Sequence, residues 1–210
     1  IWQTPILKVS RDKGKTWTAP AEKYPWQPAA IRRLVAIESP TLVLLAGNEK
    51  GFWRSLDKGK TWETITPEGT DGKKCHAIVV LEDRVLAALG SQLVESRDQG
   101  KTWKDLPVEP ARGKALLSAA GGQDKGKDTL LYVIADEVGT LQSLDGGKTW
   151  TLVQPWDKQN DVQMAVNQTK IAFTAQSDSA GREVFATHDA GKTWKSVFPP
   201  QGPASKLDWS

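Results

Sequence analysis

Sulfur and imidazole are scarce in this 210-residue chain. A single cysteine, Cys75, excludes an internal disulfide and any thiolate-based metal cluster. Two histidines, His76 and His188, are too few for a zinc centre built on nitrogen ligands. Neither a metal nor another cofactor is therefore expected. No apolar run approaches the ~20 residues of a membrane-spanning helix, so no membrane insertion is expected. The net charge is only +3 and no basic run occurs, which speaks against a nucleic-acid partner. No stretch carries a helical period. The N-terminus, Ile1 to Pro5, lacks the charged and apolar regions of a signal peptide and does not start with Met. The chain is expected to be processed, or to be part of a longer parent.

Tryptophan, by contrast, is abundant. Ten occur, and five of them close copies of one octapeptide, S-x-D-x-G-K-T-W. The copies start at Ser10, Ser55, Ser96, Ser143 and Thr187, separated by 45, 41, 47 and 44 residues. A long motif at a nearly constant period defines a repeat architecture. Each copy has the chemistry of a tight turn. Asp12, Asp57, Asp98, Asp145 and Asp189 can accept hydrogen bonds from the N–H groups of their own turn. The following glycines supply a positive φ. Trp17, Trp62, Trp103, Trp150 and Trp194 offer large apolar bodies, expected to be mostly buried between strands.

Short β-rich segments flank every copy, punctuated by Gly, Pro, Asn and Asp. In the second repeat they are 27–39, 41–48, 51–55 and 62–65. The third has 76–81, 84–89, 92–96 and 103–106. The fourth has 115–120, 129–135, 139–143 and 150–153, and the fifth 162–166, 170–175, 183–187 and 194–197. Four strands per repeat match a propeller blade. The first repeat begins at what corresponds to a third strand, residues 5–10.

The octapeptide resembles the Asp box, or BNR repeat. Over nearly its whole length the chain is similar to Asp-box β-propellers: sialidases, xyloglucan-active endoglucanases, sortilin-type receptors and photosystem II assembly factors. The resemblance implies an all-β fold, a β-propeller of four-stranded antiparallel blades with five Asp-box repeats in one domain, 1–210. Complete blades are expected at about 27–66, 74–107, 113–154 and 161–198, and a partial first blade from 1–20 joined by 204–210. Up to the first box serine, Ser10, the tail 204–210 and the head 1–10 supply 17 residues, whereas Ser55 lies 24 residues after Ile31 in the second repeat. Either the first blade is a reduced, three-stranded closure or the chain is an excerpt of a larger propeller, and the shortfall favours the excerpt. In the resembled families the box is a structural turn, remote from the functional face. A calcium loop would need further Asp or Asn ligands and a distal Glu, which are missing.

Function is sought on the opposite face, in the loops between blades and between second and third strands. A sialidase needs three converging arginines, a Tyr–Glu pair and an acid Asp. Only Tyr24 and Tyr132 exist, and the nearest approach to the family's R-I-P type motif is Ile31-Arg32-Arg33-Leu34. A glycosidase needs two carboxylates across a cleft. Asp136, Glu137, Asp157, Asp161 and Asp178 lie on that face, but they read as solvated turn acids. No catalytic residue is assigned. Trp26 and Trp156 sit in interblade loops beside prolines. They stack on a ligand, or they cover the core between blades. Trp26, Trp156, Arg32 and Asp161 are the candidate ligand-binding residues. Trp53 is expected to pack within its strand, and Cys75 to be a buried thiol. The expected function is a non-catalytic binding or assembly scaffold, exported, with a peptide, protein or glycan partner. The alternative is a carbohydrate-active hydrolase or a degenerate relative.

Overall fold

The structure, a computed structural model, describes residues 7–38, 41–67, 69, 74–123, 129–155, 163–166, 171–178 and 181–198. Within them lie four antiparallel sheets of four strands, each ordered as in sequence. The first sheet holds β1 (Arg33–Ile37), β2 (Val43–Asn48), β3 (Gly51–Ser55) and β4 (Glu63–Thr64). The second holds β5 (Cys75–Val80), β6 (Val85–Leu89), β7 (Gln92–Ser96) and β8 (Lys104–Asp105). The third holds β9 (Leu116–Gln123), β10 (Thr129–Ala135), β11 (Gly139–Ser143) and β12 (Thr151–Pro155). The fourth holds β13 (Gln163–Val166), β14 (Ala172–Asp178), β15 (Gly181–Thr187) and β16 (Lys195–Phe198). A meander of this kind joins neighbouring antiparallel strands in chain order, here strands of two to eight residues.

The first repeat departs from expectation. Its described residues form a single antiparallel bridge, Val9 with Thr18, rather than a paired third strand. The expected partner segment, 204–210, lies outside the described residues. A one-turn 3-10 helix, Glu109–Ala111, occupies a loop in which no helix was expected. Pro110 lies within its first turn, where a missing N–H costs no intrahelical bond.

Two compact units are distinguished. One comprises 1–90 with 94–104, the other 91–93 with 105–210, so the division passes through β7 and β8. In the first unit β1 lies beside β5. Its core joins Val43, Leu45 and Phe52 to Cys75, Val85, Ala87, Leu89 and Val94. Middle strands are buried on both faces, which explains their near-continuous apolar runs. In the second unit β9 lies beside β13, and β10 is buried along its full length. There Leu130, Tyr132 and Ala172 pack with Val153, Ala190 and Trp194.

Candidate functional site

Each box closes the turn between third and fourth strands with one repeated network. The Ser or Thr hydroxyl donates to Asp Oδ1 at 2.7–2.9 Å and accepts the glycine N–H at 2.7–2.9 Å. The later threonine gives its N–H to Oδ1 and its hydroxyl to Oδ2, as Thr16 does to Asp12 at 2.8 and 2.6 Å. Both carboxylate oxygens are thus engaged within the turn. Hydrogen bonds from Thr61 hold Asp57 down at about 2. Burial pushes Asp98 up, but hydrogen bonds from Thr102 and Ser96 outweigh it and leave the group at about 2. Both oxygens of these carboxylates are tied to the turn, so they serve to close it.

Two features of the box escaped the sequence. Besides the glycines, the residue before each glycine is left-handed: Lys13, Lys58, Gln99 and Ala190 have φ of 59–64°, and Gly146 has 75°. A side chain there is strained, and the hydrogen-bonded ring holds it. The tryptophans are also less buried than expected. Trp62, Trp103, Trp150 and Trp194 are half-buried, and Trp17 is 59% exposed. The indole N–H of Trp17, Trp62 and Trp150 turns back onto the carbonyl of its own box glycine at 3.1 Å. Such a ring lies along the turn, with one face left for whatever packs beside it.

Trp26 is not available to a ligand. It is 1% exposed. Tyr24 stacks on it at 5.0 Å, while Trp53 and Trp62 meet it edge-on at 5.4 and 4.9 Å. The loop is folded under by bonds from Gln27 N–H to the Tyr24 carbonyl and from Ala29 N–H to the Trp26 carbonyl. Enclosed in this way, Trp26 takes the core-cover reading of the two. Trp156, Asp157 and Asp161 lie outside the described residues, and only the backbone of Asp178 is described.

Arg32 is exposed and pairs with Glu49 at 3.0 Å. It does not stand alone. Arg33, at the start of β1, donates Nε to the His76 carbonyl at 2.6 Å, tying it to the start of β5. Lys74 precedes that strand and is exposed. Arg32, Arg33 and Lys74 thus lie close to half-buried His76, and among the described residues Arg32 and Lys74 act on one acid, Glu49. The fields register this grouping. Burial lowers the His76 pKa, and Lys74, Arg33 and Arg32 lower it further. Glu49 is also lowered, by its own backbone N–H and by Arg32. The excess of cations forms a ledge suited to an anionic group. Sequence reading singled out Arg32 but missed Lys74 and His76. They stand at the start of the next repeat's first strand, so superposing repeats two and three would have brought them together.

In the second unit Glu137 is held by Lys114, which lowers Glu137 and raises Lys114. A carboxylate neutralised in this way is a poor general acid. Behind the ledge, Cys75 is buried, and that burial pushes its thiol up to about 12 against a smaller opposing pull from Arg33. Among the described residues no three His, Cys, Asp or Glu side chains come together as a metal would require. No helix among them is long and apolar enough to cross a membrane.

No protein-family model and no curated protein matches the chain by sequence. Solved structures do match its fold. A GH74 xyloglucanase from Xanthomonas campestris superposes on 75% of the chain with a TM-score of 0.58 and 19% identity. YCF48 bound to D1 peptide covers 88% at 0.58 and 16%. The extracellular domain of a one-component system from B. thetaiotaomicron covers 86% at 0.61 and 12%. The chain spans 28%, 58% and 24% of those structures' own lengths. Such identities establish a class of fold, the β-propeller, which hosts both enzymes and non-catalytic binders.

Proposed function

We propose that this chain is a non-catalytic binding scaffold that takes a peptide or protein segment bearing carboxylate groups at the Arg32–Arg33–Lys74–His76 ledge. The observation that carries this reading is the local excess of cations at the loop end of adjacent first strands, with Glu49 the one acid beside them among the described residues. Arginine favours planar anions because its fork makes paired hydrogen bonds. Loops on a rigid sheet scaffold are also where recognition concentrates. Support comes from the fold class, since one similar structure was solved with a bound peptide. An exported location goes with the reading, since another is an extracellular domain. The absence of an assigned acid pair is why the hydrolase reading ranks second.

The test compares a glutamate-rich peptide with its glutamine counterpart by fluorescence anisotropy at low and moderate salt. The acidic peptide is expected to bind more tightly, and to lose about tenfold or more in affinity as salt rises. Arg32→Ala with Lys74→Ala should abolish the difference between the peptides. Equal binding of both, or an unaffected double variant, defeats the anionic-ledge reading. Turnover of a glucan or sialoside that disappears on changing Asp136 or Glu137 would instead establish the hydrolase.

A further inference from the structure

His76 is set apart on its strand. β5 pairs with β6 through Cys75 with Leu89 and Ala77 with Ala88, and the register shifts between the two, so His76 is the extra residue of a bulge. A bulge re-aims the side chain it carries. Here Cys75 and Ala77 are buried, while His76 between them is half-buried. The His76 carbonyl accepts the Arg33 Nε–H at 2.6 Å, which fixes the backbone at that point. The imidazole itself makes no hydrogen bond among the described residues.

The charges acting on that imidazole are of one sign. β1, β2 and β6 pack on β5. β1 opens at Arg33, next to Arg32. β2 leads into a hairpin that carries Glu49 and Lys50, and β6 has no charged side chain. Lys74 directly precedes β5. Of these groups Lys74, Arg33 and Arg32 act on His76, and all three oppose its protonation. Glu49 is engaged by Arg32 instead. Burial, and then these cations, hold the imidazole below its ordinary value of 6.5. The free ledge therefore keeps His76 neutral at neutral pH. It is the one ledge group whose charge can change between pH ~5 and ~8.

Taking the ledge as the binding surface argued above, we propose that a ligand carboxylate seated there brings His76 the anion it lacks, so that the imidazole takes up a proton as the ligand binds and the acidic peptide is held more tightly in mildly acid solution. The proton comes from solvent onto the free ring nitrogen, and the imidazolium then donates to the carboxylate. A ligand that favours protonation is itself favoured by it, by the same factor. The bound value lies above the free one, so affinity is greatest below the free value and declines as pH rises through the bound one. The peptide's glutamates, ordinarily at ~4.3, stay ionised above pH ~5.5, and Glu49 is held lower than usual.

Fluorescence anisotropy of the glutamate-rich peptide at fixed salt, from pH ~8 to ~5.5, tests the coupling. The wild-type chain should gain ~3-fold to ~10-fold in affinity as pH falls. His76→Gln keeps a hydrogen-bonding side chain that cannot take up a proton, and should flatten the rise to under ~2-fold. His188→Gln, at an exposed position of the fifth box, should retain the rise. A second readout needs no ledge variant to fold. In proton–carbon NMR spectra the His76 ring should titrate below 6.5 in the free chain and move upward when the peptide saturates it, with His188→Gln assigning the two rings. Three results overturn the coupling and leave the ledge standing: pH-independent binding of the acidic peptide, a His76→Gln profile that rises like wild type, or a His76 midpoint that does not move on saturation. Failure of the acidic peptide to outbind its glutamine counterpart at any pH overturns the ledge and the coupling together.

Discussion

The guanidinium of Arg54 donates to the main-chain carbonyl of Gln99, 45 residues further along, at 3.3 Å. Gln142 does the same for the carbonyl of Ala190, 48 residues on. Both donors immediately precede a box serine. Both acceptors are the left-handed residue before a box glycine in the following repeat. A side chain of one repeat therefore grips the most strained residue of the next. Each donor is itself held in place, Arg54 by Glu63 at 2.6 Å and Gln142 by the Tyr132 hydroxyl at 2.8 Å.

Removing that grip should destabilise more than removing its support. Arg54 is buried, whereas the Glu63 side chain is about half exposed. Arg54→Met should cost ~1–2 kcal/mol by withdrawing a charged donor from a buried site. Glu63→Gln should cost under ~1 kcal/mol, as a solvated partner does. Urea denaturation midpoints give both values. Equal midpoints for the two variants would dismiss the grip as incidental.

The box aspartates make stability depend on pH with a definite sign. Asp57 and Asp98 sit at about 2, below the ordinary value of 3.8. A carboxyl lowered on folding contributes stability that is fully present above its unfolded value. The contribution disappears as pH falls through the folded one. Thermal midpoints should therefore hold down to pH ~4 and drop between pH ~4 and ~2. Asp98→Ala should cost roughly 1–3 kcal/mol at neutral pH by leaving turn donors unpaired, and the variant's acid limb should be shallower. An acid limb identical to wild type would remove Asp98 from the account.

Strand positions were legible where the local pattern suffices. Residues 51–55, 92–96, 129–135 and 139–143 form the strands expected of them, because apolar alternation or a solid apolar run ends at an unmistakable turn. The expected strand at 27–39 starts only at Arg33. Tyr24 and Trp26 fold the preceding loop back on itself, and the sequence left Trp26 open between ligand contact and core cover. The outer strand expected at 62–65 shrinks to two residues, with Ile65 turned to receive the next box. Trp17 was the least predictable residue, since its octapeptide matches the others and its exposure depends on what lies beside the turn. The ledge was hidden for a related reason, because Arg33 and His76 are 43 residues apart and meet only through the pairing of repeats.

Trp26 should behave as a core residue and not as a ligand contact. Its burial against Tyr24, Trp53 and Trp62 predicts a loss of ~3–5 kcal/mol for Trp26→Ala. The exposed Trp17 should lose under ~1 kcal/mol on the same change. Chemical denaturation of the two variants separates them. If Trp26→Ala melts like wild type, the aromatic cluster is not part of the core.

Cys75 should be inert until the fold opens. Only a thiolate attacks an alkylating reagent, and burial holds this thiol near 12, so almost none is ionised at neutral pH. Access is blocked as well, because Gly47 faces Cys75 so closely that an added Cβ would lie 2.8 Å from the Cys75 Cβ. Iodoacetamide should leave the native protein unmodified and react readily in denaturant, as intact-mass measurement would show. Gly47→Ala must push the two strands apart there, at a cost of ~1–3 kcal/mol. The same substitution should speed labelling, since opening becomes more frequent. Rapid labelling of the native wild-type protein would mean that Cys75 is open to solvent, and that β2 and β5 do not pack as described.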